Sequence, residues 1–171
     1  MKALDHYLVK LEQIFVVFGF ALATIIMFAN VVARYAFNTG FTWALESVQY
    51  LFAWVVLVGA AYGIRVGAHL GLSIFVEKFP PRYQKWLLSI AFGLTFLFVA
   101  SVFILSLIYT VKIYSWGDLT LDLRIPQWIP YLAIPIGFGL MILHLIQIGI
   151  NIWQGKILKL TSAESDIVAK N

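Results

Sequence analysis

The sequence predicts an all-α integral membrane protein with four transmembrane helices, both termini inside, and short interfacial amphipathic segments. Three observations carry this reading. No Asp, Glu, Lys or Arg occurs in residues 13–33, 47–64, 86–111 or 125–155, runs of 21, 18, 26 and 31 residues. About 20 mostly apolar residues in a helix cross a hydrocarbon layer of about 30 Å, and helix is the state in which such a segment satisfies its own backbone. The chain is 62% hydrophobic with a mean hydropathy of +0.91, which excludes an ordinary soluble domain. Five tryptophans, Trp43, Trp86, Trp116, Trp128 and Trp153, fall near the ends of the runs, where an aromatic belt belongs. Trp54 alone lies mid-span.

The elements follow in order. Leu4, Leu8, Leu11 and Phe15 recur at helical spacing among Asp5, His6, Lys10 and Glu12, an interfacial lead-in to the first helix. That helix spans about 13–37. Its apolar stretch exceeds the 7–15 residues of a signal-peptide core and no small-x-small cleavage site follows it, so it is expected to stay in the membrane. Asn38-Thr39-Gly40 makes a tight turn. Thr42 can cap the second helix, about 43–66, and Glu46 in its first turn suits the positive end of the helix dipole. Residues 70–79 form a short apolar segment at the interface. Pro80-Pro81 breaks the chain before the third helix, about 86–114. The longest outer loop, 115–127, leads to the fourth helix, about 128–153. Pro126 and Pro130 open it and Pro135 is expected to bend it. Residues 156–171 form a polar tail, and residues 1–171 make one membrane domain with no room for a soluble catalytic one.

Charge orients the chain. Nine Lys and Arg (Lys2, Lys10, Arg65, Lys78, Arg82, Lys85, Lys156, Lys159, Lys170) lie on one side and three (Arg34, Lys112, Arg124) on the other. The positive-inside rule then places both termini and the middle loop in the cytoplasm. There is no cysteine, so no disulfide or thiolate chemistry is available.

Four constellations stand out. Gly59, Gly63, Gly67 and Gly71 recur every four residues and make a groove suited to close helix contact; the bland alternative is that glycine is common in membrane helices. His144, Gln147 and Asn151 form a polar face on the fourth helix. They serve either interhelical hydrogen bonding, the favoured reading, or a proton or ligand path. Asn30 and Arg34 near the end of the first helix face Glu46 across a short turn. A structural Arg34–Glu46 ion pair is the expectation and an anion site the alternative. Arg65, Lys78, Arg82 and Lys85, with His69, are candidates for lipid headgroups or for simple positive-inside anchoring. Haem ligation would need two deep histidines, and only His144 is deep. The charge-free runs leave no deep carboxylate in any span, so an ion-coupling site within this chain is not expected. No catalytic residue, cofactor site, metal cluster, phosphate loop or nucleic-acid partner is indicated.

The chain resembles the small membrane subunits, DctQ-like, of tripartite ATP-independent periplasmic (TRAP) transporters. The residues that carry the resemblance are Asn30-Val31-Val32-Ala33-Arg34-Tyr35, Phe41-Thr42-Trp43-Ala44-Leu45-Glu46, Gly59-Ala60-Ala61-Tyr62-Gly63-Ile64-Arg65 with Gly67-Ala68-His69-Leu70, and Arg124-Ile125-Pro126-Gln127-Trp128-Ile129-Pro130-Tyr131 with Ile134-Pro135-Ile136-Gly137. They spread over about residues 25–140. Leu45 departs from the pair of acids the family often shows, leaving Glu46 alone. The resemblance implies a bacterial inner-membrane scaffold that binds no substrate and is not an enzyme. It implies docking on a large elevator-type membrane subunit that carries the substrate and sodium sites. A periplasmic binding protein would deliver an organic acid such as a sialic acid or a C4-dicarboxylate.

The competing classes are an independent channel or proton-linked carrier acting as a homo-oligomer, and a membrane redox or enzyme subunit; a deep carboxylate would favour the first and a second deep histidine the other. Reporter fusions at Asn38, Lys78, Asp118 and Asn171 are expected to read outside, inside, outside and inside. An outside signal at Lys78 would overturn the topology.

Overall fold

The computed structural model describes residues 2–66 and 81–153. These residues form α1 (Lys2–Phe37), α2 (Thr42–Val66), α3 (Pro81–Trp116), α4 (Trp128–Tyr131) and α5 (Ala133–Trp153). Four segments are long and apolar enough to cross a membrane: Tyr7–Phe37, Thr42–Arg65, Ser89–Trp116 and Trp128–Ile150, the last made of α4 and α5 together. The predicted four-helix membrane fold is therefore what the chain adopts. The segment 70–79, Gly67, Gly71 and the tail 156–171 lie outside the described residues.

Local chemistry explains the helix limits. α1 runs unbroken through the expected interfacial lead-in, since its leucines continue the helical period and neither Gly nor Pro interrupts before Gly19. It ends at Asn38, whose φ of 51° is a left-handed conformation that Asn tolerates better than most residues. The Asn30 amide then accepts the Phe41 N–H at 2.8 Å, and the Thr39 N–H donates to the Ala33 carbonyl at 3.2 Å. Thr42 is thus the first helical residue rather than the cap. α3 starts on Pro81, where the missing N–H has no intrahelical partner to lose. It ends before Gly117, whose φ of 70° suits a glycine just past a helix C-terminus. Pro135 cannot donate to the Tyr131 carbonyl, and the fourth span breaks there into α4 and α5. The break is local. The Leu132 N–H reaches the carbonyls of Trp128 (3.1 Å) and Ile129 (3.2 Å), and the Ile136 N–H reaches that of Leu132 at 3.1 Å.

The helices stand in a row. α2 packs on α1 along one side and on α5 along the other, and α3 packs on α5. The middle spans accordingly bury more: within an 18-residue apolar window of each, 39% of Trp128–Ile150 and 22% of Thr42–Arg65 is buried, against 11% for each flanking span. The buried positions are mostly small, with Ala23, Ala33, Ala44, Ala61 and Ala133 among them. One continuous cluster, Ala61, Val99, Met141 and Leu145, joins α2, α3 and α5.

Among the glycines whose surroundings are described, the closest approaches to α2 come from two that lie outside the repeat. A methyl group on Gly19 of α1 would lie 2.6 Å from the Val55 side chain, and one on Gly137 of α5 would lie 2.6 Å from the Leu57 Cβ and 3.3 Å from its backbone. Both clasp α2. Within the sequence-selected glycine series, Gly59 meets Val16 of α1 at an ordinary 3.6 Å, and Gly63 is half-buried. Gly137→Ala is expected to lower the thermal midpoint in detergent, because a methyl pressed against backbone costs about 1–3 kcal/mol. Gly93→Ala is expected to leave the midpoint unchanged or raise it, since nothing lies within 4 Å of that position. Equal midpoints for the two variants would mean that α2 and α5 are not held this closely.

Candidate functional site

Two buried carboxylates, at opposite ends of the molecule, tie separate parts of the chain together. The first is Glu12. On α1 it shares a face with Val16, Gly19 and Ala23, at spacings of four, seven and eleven residues, and so turns inward. It is 2% exposed and His144 of α5 is 1% exposed. The His144 Nε2 lies 2.9 Å from one Glu12 carboxylate oxygen and 3.1 Å from the other. An isolated carboxylate in an apolar interior is strongly unfavourable, and the imidazole partner offsets that cost.

This corrects the sequence reading, which grouped Glu12 with the charged head and found no deep carboxylate. Glu12 lies inside the apolar segment Tyr7–Phe37. The signal that could have revealed it is the small-residue period of α1 together with the need of His144 for a partner. His144 makes an interhelical bond, the reading favoured for the polar stripe. Its Nδ1 and the Gln147 Oε1, one turn further on, are buried without a partner among the described residues. The Asn151 side chain is outside the description. Beside this pair, the Gln13 amide donates to the Tyr62 hydroxyl at 2.6 Å and joins α1 to α2 a second time.

The second carboxylate is Glu46, 9% exposed. It sits just past the first turn of α2, and its side chain accepts four hydrogen bonds. The Leu121 N–H (3.1 Å) and the Tyr50 hydroxyl (3.1 Å) reach one oxygen; the Asp122 and Leu123 N–H groups, both at 2.8 Å, reach the other. Three successive backbone N–H groups form a concave anion cradle, and here the anion is the chain's own side chain. The loop around it is closed by its own bonds. The Thr120 N–H donates to the Ile125 carbonyl (2.9 Å), the Ile125 N–H to the Thr120 hydroxyl (3.2 Å), and the Gln127 N–H to the Asp118 carbonyl (3.0 Å). Arg124 takes a φ of 55° within this turn, a conformation that costs an L-residue on the order of 1–2 kcal/mol.

The expected Arg34–Glu46 ion pair does not form. All of Glu46's bonds go to α2's own Tyr50 and to the loop after α3, while Arg34 is exposed on α1. Backbone donors win because they are already positioned and need no long side chain to be immobilised. Asn30, the other half of the suggested anion site, uses its amide oxygen to cap the turn. Of the suggested lipid-headgroup residues, Arg65 is half-buried near the end of α2. The side chains of Arg82 and Lys85, and all of Lys78, lie outside the described residues.

These polar sites fasten the chain; among the described residues no cluster of three or more His, Asp or Glu could hold a metal. Similarity to known proteins agrees with a non-enzymatic role. Residues 23–155 match the family described as tripartite ATP-independent periplasmic transporters, DctQ component. The chain is 30% identical to the C4-dicarboxylate TRAP transporter small permease protein DctQ of Vibrio cholerae, over 94% of this chain and 80% of that one. It is 26% identical to the ectoine TRAP transporter small permease protein TeaB of Halomonas elongata, over 81% of this chain and 72% of that one. It is 25% identical to the isethionate TRAP transporter permease protein DctMQ of Oleidesulfovibrio alaskensis, over 61% of this chain but only 16% of that much longer one.

Removing the Glu46 carboxylate leaves three loop N–H groups without their acceptor. In Glu46→Ala, hydrogen-exchange protection at Leu121, Asp122 and Leu123 is expected to fall at least roughly tenfold, in line with the cost of orphaned donors. Arg34→Ala is expected to leave that protection unchanged. Equal loosening of the loop by Arg34→Ala would restore the ion-pair reading.

Proposed function

From the premise that this chain belongs to the DctQ family of TRAP transporter components, we propose that it is the scaffold subunit of a sodium-driven transporter for an organic acid, docked on a large membrane subunit and binding no substrate itself. It is a multi-pass protein of the inner membrane.

The observation that carries the proposal is the use made of the carboxylates. Ion coupling across a membrane needs ligands at depth, and acids are the usual ones. The described spans contain two, Glu12 and Glu46, and both are consumed in joining one part of the chain to another. The substrate and sodium sites then belong to the partner. The relatives support the same division. Their names attach two similar small permease proteins to C4-dicarboxylates and ectoine, and a longer protein with a similar segment to isethionate, compounds of different size and charge, so selectivity sits outside the small component. The relative named DctMQ, in which the matching segment is a minor part, supports a large permease partner. With both termini cytoplasmic, the Glu46-braced loop faces the periplasm, on the side from which a binding protein delivers its cargo.

Reconstitution tests this. Liposomes holding this chain alone are expected to show no uptake of a labelled organic acid under a sodium gradient. Liposomes with the large subunit and the binding protein are expected to need this chain for uptake. Uptake by this chain alone would overturn the scaffold reading and favour an independent carrier.

A further inference from the structure

We propose that the groove between α3 and α5 seats one acyl chain of a net-anionic phospholipid, whose phosphate is held by Lys112. The groove has a volume of about 480 Å³ and opens on the outer face of the helix row. Val102, Leu105 and Ile108 of α3 and Ile134 of α5 supply apolar walls, and Lys112 stands at one end.

Length points to the occupant. From Val102 to Lys112 is ten residues of helix, roughly 15 Å at 1.5 Å per residue. That is half of the ~30 Å hydrocarbon core, so the groove is one leaflet deep. Its cationic end lies at the membrane border. Lys112 is four residues from the end of α3, and its ammonium sits 5.5 Å above the Trp116 ring. Aromatic contacts hold α3 against α4 at this end, Tyr109 with Tyr131 beside the groove and Tyr114 with Trp128 beyond it, both 5.7 Å between centroids. The lower end stops at mid-membrane, where an acyl chain of that leaflet also ends.

Charge selects the headgroup. The nearby acids Asp118 and Asp122 and the basic Arg124 are exposed on the loop, and Lys112 makes no ion pair among the described residues. An exposed Lys at the border attracts phosphate. In phosphatidylcholine and phosphatidylethanolamine the lipid's own cation competes for that phosphate. In phosphatidylglycerol it does not, which gives the preference for a net negative charge. The acyl chain gains dispersion contacts along the apolar walls.

The absence of native cysteine allows a clean test on the full chain. Leu105→Cys places one fluorophore in the groove, and Ile104→Cys places one on the neighbouring exposed face at the same depth. Each labelled chain is placed in phosphatidylcholine nanodiscs and titrated with lipids brominated on the acyl chain. Brominated phosphatidylglycerol is expected to quench the Leu105 label at a mole fraction roughly fivefold lower than brominated phosphatidylcholine or phosphatidylethanolamine, the equivalent of the ~1 kcal/mol that one basic residue contributes near an anionic lipid surface. The Ile104 label is expected to show no headgroup preference, and Lys112→Gln to abolish the preference at Leu105 while leaving the Ile104 curve as it was. Equal mole fractions for the three lipids at Leu105, no quenching there at all, the same preference at Ile104, or a preference that survives Lys112→Gln would each overturn the proposal.

Discussion

In lipid, two helices gain nothing from hiding apolar surface from each other, because the acyl chains they displace are as apolar as they are. Association then rests on close packing and on polar contacts that a lipid tail cannot replace. The row of helices described above is organised by that constraint. Gly19 and Gly137 let α1 and α5 approach α2 until a single added methyl would collide. The large residues, Phe18, Phe28, Phe98 and Ile108 among them, point outward. This inverts the pattern of a water-soluble bundle, where bulk lies inside. The small residues form the interior, and the bulky ones make the surface that meets lipid or another membrane protein.

Polar contacts do the remaining work at the two ends. Glu12–His144 joins the first helix to the last across the row, so that α1 is held by α5 as well as by α2. Removing one partner alone would leave the other buried and unsatisfied, a larger loss than the pair itself contributes. At the other end Glu46 acts on backbone rather than on side chain. It gathers three consecutive N–H groups and so gives a loop outside the membrane the order of the helix beneath it. The left-handed Arg124 is tolerated because the surrounding bonds over-determine the turn.

Such an architecture fits the scaffold role proposed above. Its two buried carboxylates serve for fastening, its two middle helices are clasped on both sides, and large apolar side chains dominate its exposed surface. Relatives named for chemically different substrates are similar to this chain in sequence, as expected if the small component provides position and the larger one chemistry.

The sequence by itself determined the fold class, the number of spans and their approximate ends, because these follow from run length, charge spacing and the positions of Trp, Gly and Pro, all properties of neighbouring residues. The family was legible for the same reason, in short motifs on either side of the turns. Contacts between distant segments were not. Gly59 to Gly71 stand out by their period, whereas Gly19 and Gly137 carry no such signal, and the close approaches described at these two depend on where α2 crosses. Glu12 read as part of a charged head until the unbroken course of α1 carried it onto the inner face beside His144, 132 residues away. Glu46 read as the partner of the nearest cation, Arg34, but three N–H groups some 75 residues later reached it first. Those pairings depend on which helix lies beside which, and only the folded row of helices decides that.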